Sequence, residues 1–282
     1  MTISAKIIAD SISERGIRIT SVQLRYPKFI HGELMTHRVF SRNAASSRAI
    51  PVERMIRDVV EDPAMPVYWG KNQKGMQADE EMSLQQIKLL QRKWLAGRDD
   101  AVALAQTLMQ DGLHKQIANR VLEPWFHINT LVTATEWDNF FEQRLHKDAQ
   151  PEMRTLAEAI RDAIEQSAPH ELLPGEWHLP YVTEDERASA AKNDQSQQGL
   201  LPLSVARCAR VSYLTQDGLE PRPEQDLALY ERLVGASPLH ASPAEHQATP
   251  DRCLDVMGKM EWQNKDQWRN FKGWRQYRAF ID

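Results

Sequence analysis

The run Thr36-His37-Arg38-Val39-Phe40-Ser41-Arg42-Asn43-Ala44-Ala45-Ser46-Ser47-Arg48 holds three arginines, one histidine, three serines and an asparagine. No carboxylate falls between Leu34 and Val52. The whole chain carries a formal charge of −4, so this window is a local island of positive potential. Serine and asparagine supply short hydrogen-bond donors, and arginine supplies a planar fork suited to phosphate. The run reads as an anion-binding loop for a nucleotide; a solvated serine-rich turn is the alternative.

A second candidate lies at Trp137, Phe140, Phe141, Arg144, Leu145 and Asp148, which share one helix face. Arg144 sits within an aromatic stripe, and a guanidinium there needs a partner because burying a lone charge is costly. Either Asp148, one turn on, pairs with it, or a polar ligand does. His240 and His246 lie six residues apart in Ser237-Pro238-Leu239-His240-Ala241-Ser242-Pro243-Ala244-Glu245-His246, a weak metal signal on a turn-rich loop. Cys208 and Cys253 could serve as thiolate nucleophiles, but neither has a nucleophile's context. The aromatic and basic tail from Trp268 to Ile281 suits either base stacking or a packed terminal element.

The elements that position these residues must come from 282 residues, enough for a sizeable core. A pI near 6.2 argues against a general nucleic-acid binder. Met1–Ser11 has no basic head followed by an apolar run, and no stretch approaches a membrane span, so a cytoplasmic protein is expected. Two cysteines without an export signal are expected to be reduced. With no Cys-x-x-Cys pair, no structural zinc site is expected, and neither a Walker loop nor Gly-x-Gly-x-x-Gly is present.

Alternation from Ile17 to Leu24 predicts a strand, and a helix-like run spans Phe29 to Phe40. Helices are expected from Pro51, from Ser83 to about Gly97, from about Asp99 to Val121, from Thr135 to Asp148 and from Pro151 to Gln166. Pro124–Thr133 ends in β-branched residues. Pro169–Glu176 reads as a linker between two parts, Thr183 as a helix cap, Asn193–Gly199 as a polar loop, and Pro223–Val234 as a helix.

Taken together, five segments resemble the flavin-dependent thymidylate synthases. Thr36-His37-Arg38, Ser41, Asn43 and Ser46-Ser47-Arg48 resemble that family's Arg-His-Arg signature. Arg120-Val121-Leu122 with Pro124 is similar to its Arg-x-x-Leu-Pro segment. Asn139-Phe140 through Arg144-Leu145, then Ala149-Gln150, is similar to its Asn-Phe…Arg-Leu…Ala-Gln helix. Ala209-Arg210-Val211-Ser212 and His240 through His246 resemble its Ala-Arg-Val-Ser and Ser-Pro-Phe-Glu-His elements. Those last two precede the signature in the family and follow it here, which implies a circular permutation with the chain ends close together.

The resemblance implies an α+β fold with a central antiparallel sheet flanked by helices. It implies one domain over 1–282, with the signature and Arg144 helix in 1–168 and the remaining motifs in 177–282. It implies flavin-dependent C5 methylation of a deoxypyrimidine monophosphate (dUMP to dTMP) with FAD, NADPH and 5,10-methylenetetrahydrofolate, in a homotetramer with shared sites. No membrane, metal or direct nucleic-acid partner is implied. His37, Arg38, Ser41, Asn139, Ser212, Ser242 and Glu245 are the implied FAD contacts. Ser46, Ser47, Arg48 and Arg120 would hold the nucleotide phosphate, and Arg144 the pyrimidine edge. His240, Arg144 and Ser46 are the implied catalytic set. The chain departs from the family pattern at Thr36 (family Arg), Ala44 (Glu), Glu33 (Gln), Ala244 (Phe) and Asp148 (a basic residue). These departures leave open dCMP as substrate, a hydroxymethyl or hydroxyl as the added group, or a homologue that binds nucleotides without catalysis.

Overall fold

The alternating stretch forms a strand to Pro27, and it pairs with an N-terminal strand that the sequence pattern conceals. The computed structural model describes residues 3–192, 197–211, 222–237, 239–257 and 259–281. In chain order the elements begin with β1 (Ser4–Ser13), β2 (Arg18–Pro27), α1 (His31–Leu34), β3 (Ser41–Ala44), α2 (Val52–Glu61) and α3 (Leu84–Gln110). Next come α4 (Lys115–Ala118), β4 (His127–Ala134), α5 (Asp138–Arg144), α6 (Pro151–Glu165) and β5 (His170–Leu172). Then follow α7 (Glu184–Lys192), α8 (Leu201–Arg210), α9 (Pro223–Val234), β6 (Ala248–Pro250), β7 (Cys253–Val256), β8 (Lys259–Trp262) and β9 (Trp274–Gln276). A register shift between Ile7 and Ala9 bulges β1. The bulge breaks the two-residue period, which is why alternation alone does not reveal the strand.

Five strands form one sheet in the order β3-β4-β2-β1-β5. The first four are antiparallel to their neighbours, and β5 joins β1 in parallel, so the expected antiparallel sheet is mixed at one edge. Partners across a ladder point to the same side. On one side Val22, Leu24 and Tyr26 of β2 and Ile128, Val132 and Ala134 of β4 pack in the main core. Met55 and Val59 of α2, Ala105 of α3, and Met153, Leu156 and Ile160 of α6 complete it.

The opposite side presents Ile19 and Ser21 of β2, Leu131 and Thr133 of β4, and Ser41 and Asn43 of β3. Residues from after β5 meet it. Ile19 packs with Phe271, Trp274 and Ala248, and Leu131 with Cys208 and Val211. His178 bonds Ser11 Oγ through Nδ1 (2.9 Å) and Ser21 Oγ through Nε2 (2.8 Å). His246 Nδ1 bonds Thr133 Oγ1 at 2.8 Å. The two parts of the chain thus share one sheet between them. The Pro169–Glu176 stretch, expected as a linker, contributes β5 to that sheet.

Several boundaries differ from expectation for physical reasons. The two helices expected over 83–121 run as one 27-residue helix, α3, which opens on a Ser83–Gln86 capping box and stops at Gln110, and the rest of the second is the short α4 and a 3₁₀ stretch, Asn119–Trp125. Gly97 does not stop it. A Cβ there would meet the Trp125 ring at 3.3 Å, so glycine permits close packing. Phe29–Phe40 holds the end of a 3₁₀ turn (Lys28–Ile30) and the short α1, and the Arg144 helix is only Asp138–Arg144. Thr183 caps α7, exchanging bonds with Glu186. Within the expected loop 193–199, Asn193–Ser196 lie outside the described residues. In the tail, Phe271 and Trp274 are buried, so it is a packed element.

β1 begins at Ser4 opposite Arg25, whereas Phe280 packs on Trp177, beside the histidine that bonds Ser11. About seven residues of strand, roughly 23 Å, separate Ser4 from Ser11. The expected closeness of the chain ends finds no support in this arrangement. Among the described residues no helix is long and apolar enough to cross a membrane.

Candidate active site

β3 divides the basic run. Strand alternation sends Arg42 toward the Tyr26 side of the sheet and Ser41 and Asn43 toward the other. The signature is therefore a buried edge strand with turns on both sides, and not one open loop. His37, Phe40, Ser41, Asn43 and Ser47 are buried, while Arg38 and Arg48 are exposed.

Upstream of the strand, Arg144 reaches across from the end of α5. It forms an ion pair with Glu33 of α1, and its Nε donates to His37 Nε2 at 2.9 Å. Its Nη2 lies 3.4 Å from Thr36 Oγ1. Asp148, one of the two expected partners, faces His146 instead, at 3.5 Å. The α5 helix ends at Arg144, so Asp148 no longer continues the face that the longer expected helix would have shared. Because His37 Nε2 accepts a hydrogen bond, its proton sits on Nδ1 and the ring is neutral. Burial first, then Arg144 and Arg42, lowers its pKa. Phe40 stacks on the ring and Phe140 meets it edge-on. Arg42 Nη1 donates to the carbonyls of Met35 (2.7 Å) and His37 (3.3 Å), which fixes the same turn.

Downstream, Ser47 and Arg120 converge as expected, but on a carboxylate. Ser47 Oγ (2.6 Å) and Arg120 Nη1 (2.8 Å) both donate to Glu123 Oε1. Glu123 is a residue that sequence reasoning missed, although its place three residues after Arg120 was a usable signal. The acid-free window in sequence is thus not acid-free in space. Asn119 Nδ2 donates to the carbonyls of Ser47 (2.6 Å) and Ile50 (2.9 Å).

The later motifs do meet the signature. Asn43 Nδ2 donates to Cys208 O at 2.5 Å, and Ser242 Oγ lies 3.4 Å from Asn43 Oδ1. Ser41 Oγ accepts from Gln276 Nε2 and Asn270 Nδ2, both at 3.1 Å. Gln276 and Asn270 were not anticipated. Glu245 lies 3.6 Å from Arg278. Burial lowers the pKa of Arg42, and Tyr26 and Glu245 offset part of that effect. Asn139 is exposed on α5, where it accepts from Gln143. Ser212 lies outside the described residues. Burial pushes the Cys208 thiol well up, which leaves it no nucleophile at neutral pH, and Cys253 is buried as well.

Within the described residues the side chains of Arg38, Ser46, Arg48 and His240 make no hydrogen bond or ion pair. They are the members of the expected set left available to a ligand by their own chain. A cleft of ≈ 240 Å³ lies instead among Arg25, Arg54, Asp58, Glu61, Asp62, Phe126, His127 and Asn129, and no expected site residue lines it. Among the described residues no group of three or more His, Cys, Asp or Glu is placed to hold a metal ion.

The family model described as Thy1, thymidylate synthase complementing protein, matches residues 19–170. Solved structures similar to the chain include a UMP/dUMP methylase, PolB from Streptomyces cacaoi, bound with 5-Br dUMP. That likeness has 17% identity over 57% of this chain and 89% of that one, with a TM-score of 0.48. The same protein bound with 5-Br UMP gives 18% identity over 57% and 88%, with a TM-score of 0.49. No curated protein matches the chain.

Proposed function

The chain belongs to the thymidylate synthase complementing protein family, and on that premise we propose that it methylates C5 of a deoxypyrimidine monophosphate, as in conversion of dUMP to dTMP. The observation that carries this reading is the pairing of free and fixed groups in the signature. Among the described residues the side chains of Ser46 and Arg48 have no partner, yet they flank Ser47, which is buried and bonded. That is the arrangement of an anion site held ready, with donors free and backbone fixed.

In this reading Ser46 and Arg48 hold the nucleotide phosphate. Arg144, fixed by Glu33 and His37, offers its remaining N–H groups to the pyrimidine edge. An FAD cofactor suits Arg38 and His240, which are exposed and among the described residues have unbonded side chains, with Arg38 a free donor to it and His240 at its flavin ring. Asn139, Ser242, Glu245 and Ser212 complete its holders. When bound, FAD supplies the redox chemistry, with NADPH as reductant and 5,10-methylenetetrahydrofolate as carbon source. The protein binds, orients and excludes water. His37, Ser41, Ser47 and Arg120, already bonded within the chain, support the ligand contacts from beneath.

Arg38, Arg48 and His240 lie on open surface and not in the cleft, which supports a site closed by a further copy in a homotetramer. The contacts of Asn43 with Cys208 and Ser242 support the later segments and the signature contributing to one site. A second substrate, dCMP, is favoured by Glu33, a carboxylate beside Arg144 that could accept from an exocyclic amine. The test is incubation of the protein with FAD, NADPH and methylenetetrahydrofolate plus dUMP or dCMP, followed by mass analysis of the nucleotide. A gain of one methyl group on either supports the reading and names the base. A protein that takes up no FAD and turns over neither nucleotide sinks it.

A further inference from the structure

Asn119 lies outside every motif, and its side chain is fully buried at the start of the 3₁₀ stretch Asn119–Trp125. Both of its side-chain bonds run from Nδ2 to backbone carbonyls, Ser47 O and Ile50 O, which bracket Arg48 and Ala49. Its Oδ1 is buried and among the described residues has no partner, so those two acceptors set the orientation of the amide. Lys115 Nζ donates to a carbonyl between them, Ala49 O, at 3.0 Å. Within the same segment Ala49 N closes a turn onto Ser46 O at 2.9 Å. The carbonyls of Ser46, Ser47, Ala49 and Ile50 are therefore all satisfied, and three of them are held by side chains of the neighbouring segment 115–119. Peptide planes are rigid. Fixing these carbonyls fixes the backbone of the turn, and with it the directions in which the Ser46 and Arg48 side chains leave the chain.

We propose that Asn119 is a positioning residue for the anion-binding turn, acting on the substrate phosphate through the Ser47 and Ile50 carbonyls without touching the ligand. This role rests on the nucleotide reading given above. Asn119→Asp is the isosteric test. It removes both donors and sets a carboxylate against two carbonyl oxygens, which pushes the turn away.

The experiment measures equilibrium binding of dUMP and of deoxyuridine to full-length wild type and Asn119→Asp, with circular dichroism and thermal melting as folding controls. Deoxyuridine carries the base and sugar but no phosphate. The expected result is a loss of about tenfold or more in dUMP affinity with deoxyuridine affinity unchanged. Where Asn119→Asp does not yield folded protein, Asn119→Ala carries the same comparison, since it removes the donors without adding charge. Equal losses for both ligands reduce Asn119 to a structural residue and overturn the proposal, as does unchanged dUMP affinity. Wild-type protein that binds neither ligand overturns the nucleotide reading itself, a result distinct from either outcome in the variant.

Discussion

Arg144 and Glu33 close on each other between the end of α5 and the short helix α1, with side chains only 17% and 25% exposed. Such a half-buried pair is asymmetric in its consequences: removing one partner strands the other charge away from water. Arg144→Ala should therefore cost about 1–3 kcal/mol of stability in urea unfolding. The companion Glu33→Ala should show coupling in a double-mutant cycle of at least about 1 kcal/mol. Additive effects would mean that the two residues stand side by side without interacting.

Arg48 differs in kind, being exposed and, among the described residues, unpaired. Arg48→Ala should leave the melting temperature where it is and weaken nucleotide binding by about 1.5–3 kcal/mol, the scale of a charge-assisted hydrogen bond. Titration calorimetry with dUMP reads the second effect. An unchanged dissociation constant removes Arg48 from the phosphate site.

The contrast between these two arginines shows what was legible in sequence. Arg144 on an aromatic stripe demanded a partner, but the partner lay 111 residues earlier in the chain. Local spacing could offer only Asp148, and α5 ended too soon for that pairing. Arg38, Ser46 and Arg48 were legible as polar and basic residue types, and among the described residues the fold makes no use of their side chains. Ser41 and Asn43 looked like the same kind of residue and are buried on the sheet. Their fate depended on β3 becoming an edge strand, which so short a segment cannot signal. The long amphipathic helices and Thr183 announced themselves through periodicity and capping. β1 did not, because its bulge interrupts the alternation. Glu123 and Asn119 belong to no motif, and only the folded geometry brings them to the turn.

The polar seam beneath the later half makes stability depend on pH. His178 and His246 are fully buried, and burial pushes each down to about 3 from the ordinary 6.5. Above pH 6.5 the folded and unfolded chains both hold these rings neutral, so neither histidine contributes a slope. Below it the unfolded chain gains protons that the folded chain refuses. Stability falls by about 1.4 kcal/mol per pH unit for each histidine as pH drops from about 6.5 toward about 3. Urea midpoints measured between about pH 7 and pH 4 should decline accordingly, and His246→Gln should remove one proton's share of the slope. Midpoints that stay flat over that range would show that the rings protonate in place.

His240 is exposed, and its backbone N–H is tied to Leu233 O at 3.2 Å while its ring makes no bond among the described residues. Its fixed backbone and free ring suit a side chain that acts on a ligand and does nothing for the fold. His240→Ala should unfold at the same urea concentration as the parent, because no contact of the ring is lost. Turnover should fall by roughly a hundredfold, the lower end of what a positioned proton-handling group contributes. His240→Gln, which keeps hydrogen bonding but cannot carry a proton near neutral pH, separates the two ways the ring could work. Recovery of turnover by Gln assigns His240 a binding role at the cofactor, and no recovery assigns it proton transfer. Full activity in His240→Ala makes the ring a bystander and returns the catalytic burden to Arg144 and Ser46.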